Sequence, residues 1–283
     1  MSSISPFETR STLIQYDQLD QLYYLGNYQR SIPVSLDRMM ENAYDWEHLP
    51  FVHSTTFSDI KLVEEGDWGW RAEVGSAKSK GKDRTLLELL VDKTNHYWAP
   101  TLVRGEGEGV EIHTQASANE GVGITVDVRF YAPSKPGWLR RTLGLRYLQK
   151  QYRGLYDEDE GLMLGRQHAI DSHKKSRQAS DTAELKVGRL DQLNKSSVHR
   201  VTHNHTEYCV AFLDGQWLAY SAKCPHQFGS LADAEISADG VVTCPWHGYR
   251  FDIRSGENLD GKCGPLKPSA QAVEREGSLY LVI

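Results

Sequence analysis

Two short segments constrain this chain more than anything else in it. Cys224-Pro225-His226 and Cys244-Pro245-Trp246-His247 are separated by 17 residues. Each sets one cysteine and one histidine beside a turn-forming proline. Zinc also takes two cysteines and two histidines, but a zinc finger pairs cysteine with cysteine and histidine with histidine. Here each segment mixes the two. That suits a [2Fe–2S] cluster with two thiolates on one iron and two imidazoles on the other, which needs two such loops. The other two cysteines have no partner at ligand spacing: Cys209 sits in the apolar run YCVAFL, and Cys263 in the turn GKCGP. They are expected to be structural.

The region around these loops is a series of short β-like runs with turn signals: KVGRL, VHRVT, YCVAFL, QWLAYS, GVVTC, YRFDI and LYLVI. A small all-β domain is expected over 181–283, after a linker near SDTAEL. Ahead of it, Ser35 is an N-cap for a helix over 35–48, and residues 57–131 carry β-like runs beginning with DWGWRAEV. Pro136 then precedes a long, charged helix over 138–178. The GEGEG run at 105–109 is a hairpin turn and not a dinucleotide loop: it lacks the G-x-G-x-x-G spacing, and its glutamates would repel a pyrophosphate.

The stretches CPHQFGSL, VVTCPWHGYRFDIRSGE and PLKP resemble the Rieske family over roughly 185–283. Respiratory-chain members add a bridging cysteine to each loop and a serine that bonds a cluster sulfide. Gly229, Trp246 and Tyr249 stand at those positions here, so the oxygenase type is the nearer match. Fewer hydrogen bonds to sulfur imply a potential toward the negative end of the ~−150 to +300 mV Rieske range.

The N-terminal half carries Glu41-Asn42-Ala43-Tyr44-Asp45-Trp46-Glu47-His48-Leu49-Pro50-Phe51-Val52-His53. Taken alone, two histidines five apart fit a helix end with one buried and one exposed ring. The segment nevertheless resembles, position by position, the E-N-x-x-D-x-x-H-x-x-x-x-H motif of Rieske non-haem iron oxygenases. That resemblance implies His48 and His53 as ligands of a mononuclear Fe(2+). It also implies Asp45 as a carboxylate linking His48 to the cluster histidine His247, here set against a simple helix-surface acid. A non-haem iron that activates O₂ needs a carboxylate as third ligand and open positions besides. The family places that carboxylate in an acidic stretch of the long helix, here Asp157-Glu158-Asp159-Glu160. Helical spacing favours Asp159, in line with Leu155, Leu162 and Tyr152, with Asp157 the alternative and the other acids a solvated face.

The resemblance implies an α+β chain. A helix-grip (START-like) catalytic domain over 1–180 has a curved antiparallel sheet and a long C-terminal helix, and the Rieske domain follows at 181–283. The family's usual domain order is reversed. The implied function is that of a terminal oxygenase component, mono- or dioxygenase, fed by a ferredoxin or an NAD(P)H-dependent reductase and acting with O₂ on a small organic substrate. An electron-transfer protein fused to a ligand-binding domain without a second iron is the alternative. Phe57, Trp68, Trp98 and Phe130 are candidates for an apolar pocket wall or ordinary core. Arg140, Arg141, Arg146, Lys150 and Arg153 form a solvated helix face or dock an acidic ferredoxin. The linker leaves the helix nearly twenty residues beyond Asp159, about 30 Å at ~1.5 Å per residue. The resemblance implies a head-to-tail ring in which a neighbouring subunit supplies the cluster histidine, and with this linker a cyclic homotrimer with transfer between chains is expected.

Composition excludes other classes. The net charge of −6 argues against a general nucleic-acid binder. No apolar run reaches the ~18–20 residues that span a bilayer, and MSSISPFETR lacks the apolar core of a signal peptide. A cytoplasmic location without membrane contact is expected by default.

Overall fold

The computed structural model describes residues 10–121, 123–176, 184–267 and 270–283. The chain forms two compact units, Met1–Met163 and Leu164–Ile283. The expected boundary at 180 falls among residues 177–183, outside the described residues.

In the first unit, β1 (Tyr23–Ile32) is followed by the helices α1 (Leu36–Tyr44) and α2 (Leu49–Val52). Then come β2 (Phe57–Gly66), β3 (Gly69–Ser76), β4 (Arg84–Asp92), β5 (Tyr97–Arg104), β6 (Glu111–Ala118) and β7 (Ile124–Ala132). Hairpin neighbours pair in sequence, and β1 pairs with β7, giving a curved antiparallel sheet in the order β1-β7-β6-β5-β4-β3-β2. Because β1 and β2 are its two edges, the connection holding α1 and α2 must cross from one edge to the other. That connection carries both Asp45 and the two histidines.

Period-2 alternation decides which face is buried. Ile124, Val126, Val128 and Phe130 of β7 are all at 1% exposure or less. Ladder partners share a face, so Tyr28 and Arg30 of β1 and Ile112, Thr114 and Ala116 of β6 point the same way. The helix α3 (Trp138–Ser176) packs its first two-thirds on this face. The Tyr152 ring lies 5.3 Å from that of Phe130, and Tyr156 stacks on Tyr28 at 6.2 Å. Gln149 donates to the Asn27 carbonyl, and Arg30 pairs with Asp157 and Glu160 at 2.5 Å each. The acids beside Asp159 are therefore not merely a solvated face. Arg141, too, reaches back to the sheet, donating to the Leu25 carbonyl with its guanidinium over the Tyr23 ring.

Trp98 and Phe130 lie on the buried face. Trp68 does not: it occupies the two-residue turn before β3, and Arg71 stacks over its ring at 4.7 Å. Trp70, opposite Leu89, takes the inward position instead. The expected helix over 35–48 also ends early. Ser35 caps it as expected, but Asp45 leaves helical geometry, and its Oδ1 accepts from the Glu47 backbone.

The second unit is all β apart from the end of α3. Its strands are β8 (Glu184–Arg189), β9 (His199–His203), β10 (Thr206–Leu213), β11 (Gln216–Ser221), β12 (Val241–Thr243), β13 (Arg250–Asp252), β14 (Gln271–Arg275) and β15 (Ser278–Val282). They form sheets in the orders β11-β10-β9, β12-β13 and β14-β15-β8. Strand β10 lies between two cores. Tyr208 and Val210 pack with Trp217, Leu279 and Leu281, while Cys209 and Ala211 pack with Cys224, Cys244 and Phe251. Burial on both faces explains why YCVAFL shows no polar alternation.

Candidate metal centres

His48 opens α2 and His53 closes it, so one short helical turn carries both rings to the same side. The backbone N–H of His53 donates to the Leu49 carbonyl at 3.0 Å, which holds that spacing. Their Nε2 atoms lie 3.3 Å apart. Asp159 of α3 sets its Oδ1 3.0 Å from His53 Nε2 and 3.5 Å from His48 Nε2. All three side chains are buried, at 2%, 2% and 8% exposure. Ligand atoms from the three lie within 4.8 Å of one another. Asp157, the alternative acid, turns to Arg30.

The electrostatics suit a cation. Burial disfavours charge on His48, yet the Asp159 and Asp45 carboxylates outweigh it and push its pKa up to about 9. Burial likewise works against the charged Asp159, but His48 and His53 hold its carboxyl well below the usual carboxylate range. The charged form of His48 is thus favoured by the two carboxylates that face it. The stabilisation from His48 is complete below its unfolded pKa of ~6.5 and is lost as pH rises through about 9. Asp159 Oδ1 and His48 Nδ1 are buried without a hydrogen bond. Two imidazoles and one carboxylate on one side of a point, with no other side chain in the set, fit a non-haem ferrous ion with open positions.

Sequence reasoning missed one member of this site. Glu158 Oε2 lies 2.7 Å from His53 Nδ1, the nitrogen turned away from Asp159. A ligating histidine commonly donates its second N–H to a carboxylate, which fixes the ring and its tautomer. That habit was the available signal for a second acid beside Asp159. Asp45 stands in the same relation to His48 at the longer distance of 3.9 Å. Glu158→Gln should weaken iron binding about 10–100-fold while the visible cluster spectrum stays unchanged. Iron titration followed by calorimetry would measure this.

The second site lies wholly in the second unit. Its two loops close in the same way. Cys224 N–H donates to the Gly229 carbonyl and Phe228 N–H to the Cys224 carbonyl; Cys244 N–H donates to Tyr249 and Gly248 N–H to Cys244, all at 2.8–2.9 Å. The fifth position of each loop is left-handed, with φ 65° at Phe228 and 68° at Gly248. Glycine takes that conformation freely, whereas Phe228 holds it at a cost of about 1 kcal/mol. The loops bring like donors together. Cys224 and Cys244 are free thiols, each 1% exposed, and share a hydrogen bond. The His226 and His247 rings meet at 4.6 Å, and Tyr249 stacks on His226 at 4.7 Å. The first proton leaves the thiol pair easily, because the S–H···S⁻ bond and His247 stabilise the Cys244 thiolate; the second leaves with difficulty.

A sulfur end and an imidazole end match a [2Fe–2S] cluster better than a single tetrahedral zinc. A Cβ on Gly229 would come within 2.9 Å of both Cys244 Sγ and the Trp246 ring. The two positions that would hold a bridging disulfide are thus complementary here: glycine makes room for tryptophan.

Comparison with known proteins agrees. The profile of the family described as Rieske [2Fe-2S] domain matches residues 183–269. Residues 183–269 therefore match a Rieske [2Fe-2S] domain, and this part of the chain is similar to segments of oxygenases and of ferredoxins alike. It is 28% identical over 105 residues to a human Rieske domain-containing protein, covering 36% of this chain and 67% of that one. It is 32% identical over 59 residues to chloroplastic pheophorbide a oxygenase of Oryza sativa subsp. japonica, covering 21% of this chain and 11% of the oxygenase. It is 25% identical over 88 residues to the ferredoxin component of the alkene monooxygenase system of Xanthobacter autotrophicus, covering 31% of this chain and 72% of the ferredoxin.

Proposed function

We propose that this chain is the terminal oxygenase component of a Rieske oxygenase system, a helix-grip catalytic domain joined to a C-terminal Rieske domain. The observation that carries the reading is the convergence of His48, His53 and Asp159 on one buried point. An electron carrier has no need of such a set, and an unmetallated cluster of buried donors costs stability. The rival, a Rieske electron-transfer protein fused to a binding domain, leaves those residues without a purpose.

In this reading Cys224 and Cys244 hold one iron of the cluster, His226 and His247 hold the other, and His48, His53 and Asp159 hold Fe(II). Bound there, the metals supply single electrons from a ferredoxin or reductase, and open positions at which O₂ is activated beside an organic substrate. The protein supplies orientation and exclusion of water. Glu158 and Asp45 fix the imidazoles that face the metal. Trp70, Trp98 and Phe130 pack as buried core on the inner face of the sheet, against which the helix carrying Asp159 lies. Hydroxylation, cis-dihydroxylation and oxidative demethylation all use this equipment. The test is a screen of small aromatic and apolar compounds with a generic reductase, scored by O₂ uptake coupled to product. Uptake that stays uncoupled from product across the screen, in protein loaded with both metals, would favour the rival.

Transfer between chains of a homotrimer is part of the proposal. Co-expressing Cys224→Ser with His48→Ala should restore turnover in mixed oligomers, though each variant is inactive alone. Mixed oligomers that form without regaining activity would place transfer within one chain.

A further inference from the structure

The first turns of α3 are unlike the rest of the chain. Trp138 is 80% exposed, Leu139 54%, Leu143 57% and Tyr147 53%. Leu139, Leu143 and Tyr147 stand four residues apart, so they form one stripe on the helix side turned away from the sheet. Scattered exposed apolar residues need no explanation, but a continuous apolar stripe marks a binding surface.

The charge around the stripe is one-sided. Residues 134–153 contain six lysines and arginines and no aspartate or glutamate, in a chain whose net charge is −6. Arg140 and Arg146 flank the stripe on opposite sides, and Lys150 continues it; all three are exposed. The fold adds cations from a second element. The loop between β3 and β4 brings Lys78 over the Tyr147 ring, with Nζ 5.0 Å from its centre. That loop also exposes Lys80 and Lys82.

We propose that this face, the start of α3 with the β3–β4 loop, docks on an anionic phospholipid surface. An apolar stripe led by an exposed tryptophan and bordered by long cations is the pattern of a helix lying in the bilayer interface. The apolar side chains enter the headgroup boundary while lysine and arginine reach anionic phosphates. A protein partner fits less well, because Lys78, Lys80, Lys82 and Lys150 outnumber the two arginines on this face, and lysine, unlike arginine, is depleted in protein interfaces. No helix among the described residues is long and apolar enough to cross a membrane, so the contact is peripheral. It is independent of the metal at His48, His53 and Asp159.

The test is co-flotation of the full-length protein with vesicles of phosphatidylcholine alone or with ~30 mol% phosphatidylserine. Binding is expected to the anionic vesicles only, and to fall at least about tenfold between ~0.05 and ~0.5 M salt. Arg140→Gln/Arg146→Gln/Lys150→Gln should reduce partitioning about a hundredfold. Leu139→Ser/Leu143→Ser should reduce it about tenfold or more. Both variants should keep the parent cluster spectrum, which shows that they fold. Failure of the parent to float with anionic vesicles would overturn the proposal, as would equal partitioning of parent and variants. It would also be overturned if the same residues governed binding to an acidic ferredoxin with no flotation at all.

Discussion

Asp159→Ala is expected to abolish the mononuclear iron and with it product formation, a loss of more than ~10³-fold, while the Rieske spectrum is unchanged. The carboxylate is the sole negative charge between two imidazole nitrogens 3.3 Å apart. Without it, no carboxylate stands between the two Nε2 atoms, since Glu158 and Asp45 lie on the Nδ1 sides of the rings, and the site keeps two imidazole ligands where a ferrous ion needs a third. Asp157→Ala is the control. Asp157 is largely exposed and pairs with Arg30, so its loss should cost no more than about 1 kcal/mol of stability and leave iron in place. Retained activity in Asp159→Ala together with its loss in Asp157→Ala would mean that the wrong acid has been assigned.

Cys244→Ser should have the larger structural effect. Cys244 is 1% exposed and packs in one core with Cys224, Val242, Tyr249 and Phe251. Serine keeps the volume roughly but offers a poor ligand and a buried hydroxyl. The visible and EPR signals of the cluster should vanish. The second unit should also lose several kcal/mol, on the order of 3–5, because ligand binding is part of its folding energy. About one iron per chain should remain, held by His48, His53 and Asp159. Chemical iron analysis alongside thermal unfolding checks both statements. A variant that keeps the spectrum would remove Cys244 from the ligand set.

Much of this organisation was legible in residue spacing, because both sites are built from short segments. The cysteine–histidine loops close on themselves through backbone bonds five residues long, so their spacing carries their geometry. The same holds for His48 and His53, one helical turn apart. Asp159 required more, since it comes from a helix 106 residues beyond His53; helical spacing still put it on the inward side. What the sequence hid depends on partners far along the chain. Asp157 reads as the alternative ligand and Glu160 as solvated until β1 supplies Arg30 to both, and Glu158 gains its role only when α3 lies beside His53. Trp68 and Trp70 belong to one strand-like run, and only the position of the turn separates the exposed ring from the inward one. The pairing of β1 with β7 has no local signature, because it joins residues about a hundred positions apart.

Whether one chain holds two different iron sites is tested most directly by a count of iron and acid-labile sulfide. Protein purified anaerobically and reconstituted with Fe(II) and sulfide should contain close to three irons and two sulfides per chain. Protein that reproducibly holds two irons and two sulfides, even with Fe(II) in excess, would contradict the account and leave the chain a Rieske electron carrier.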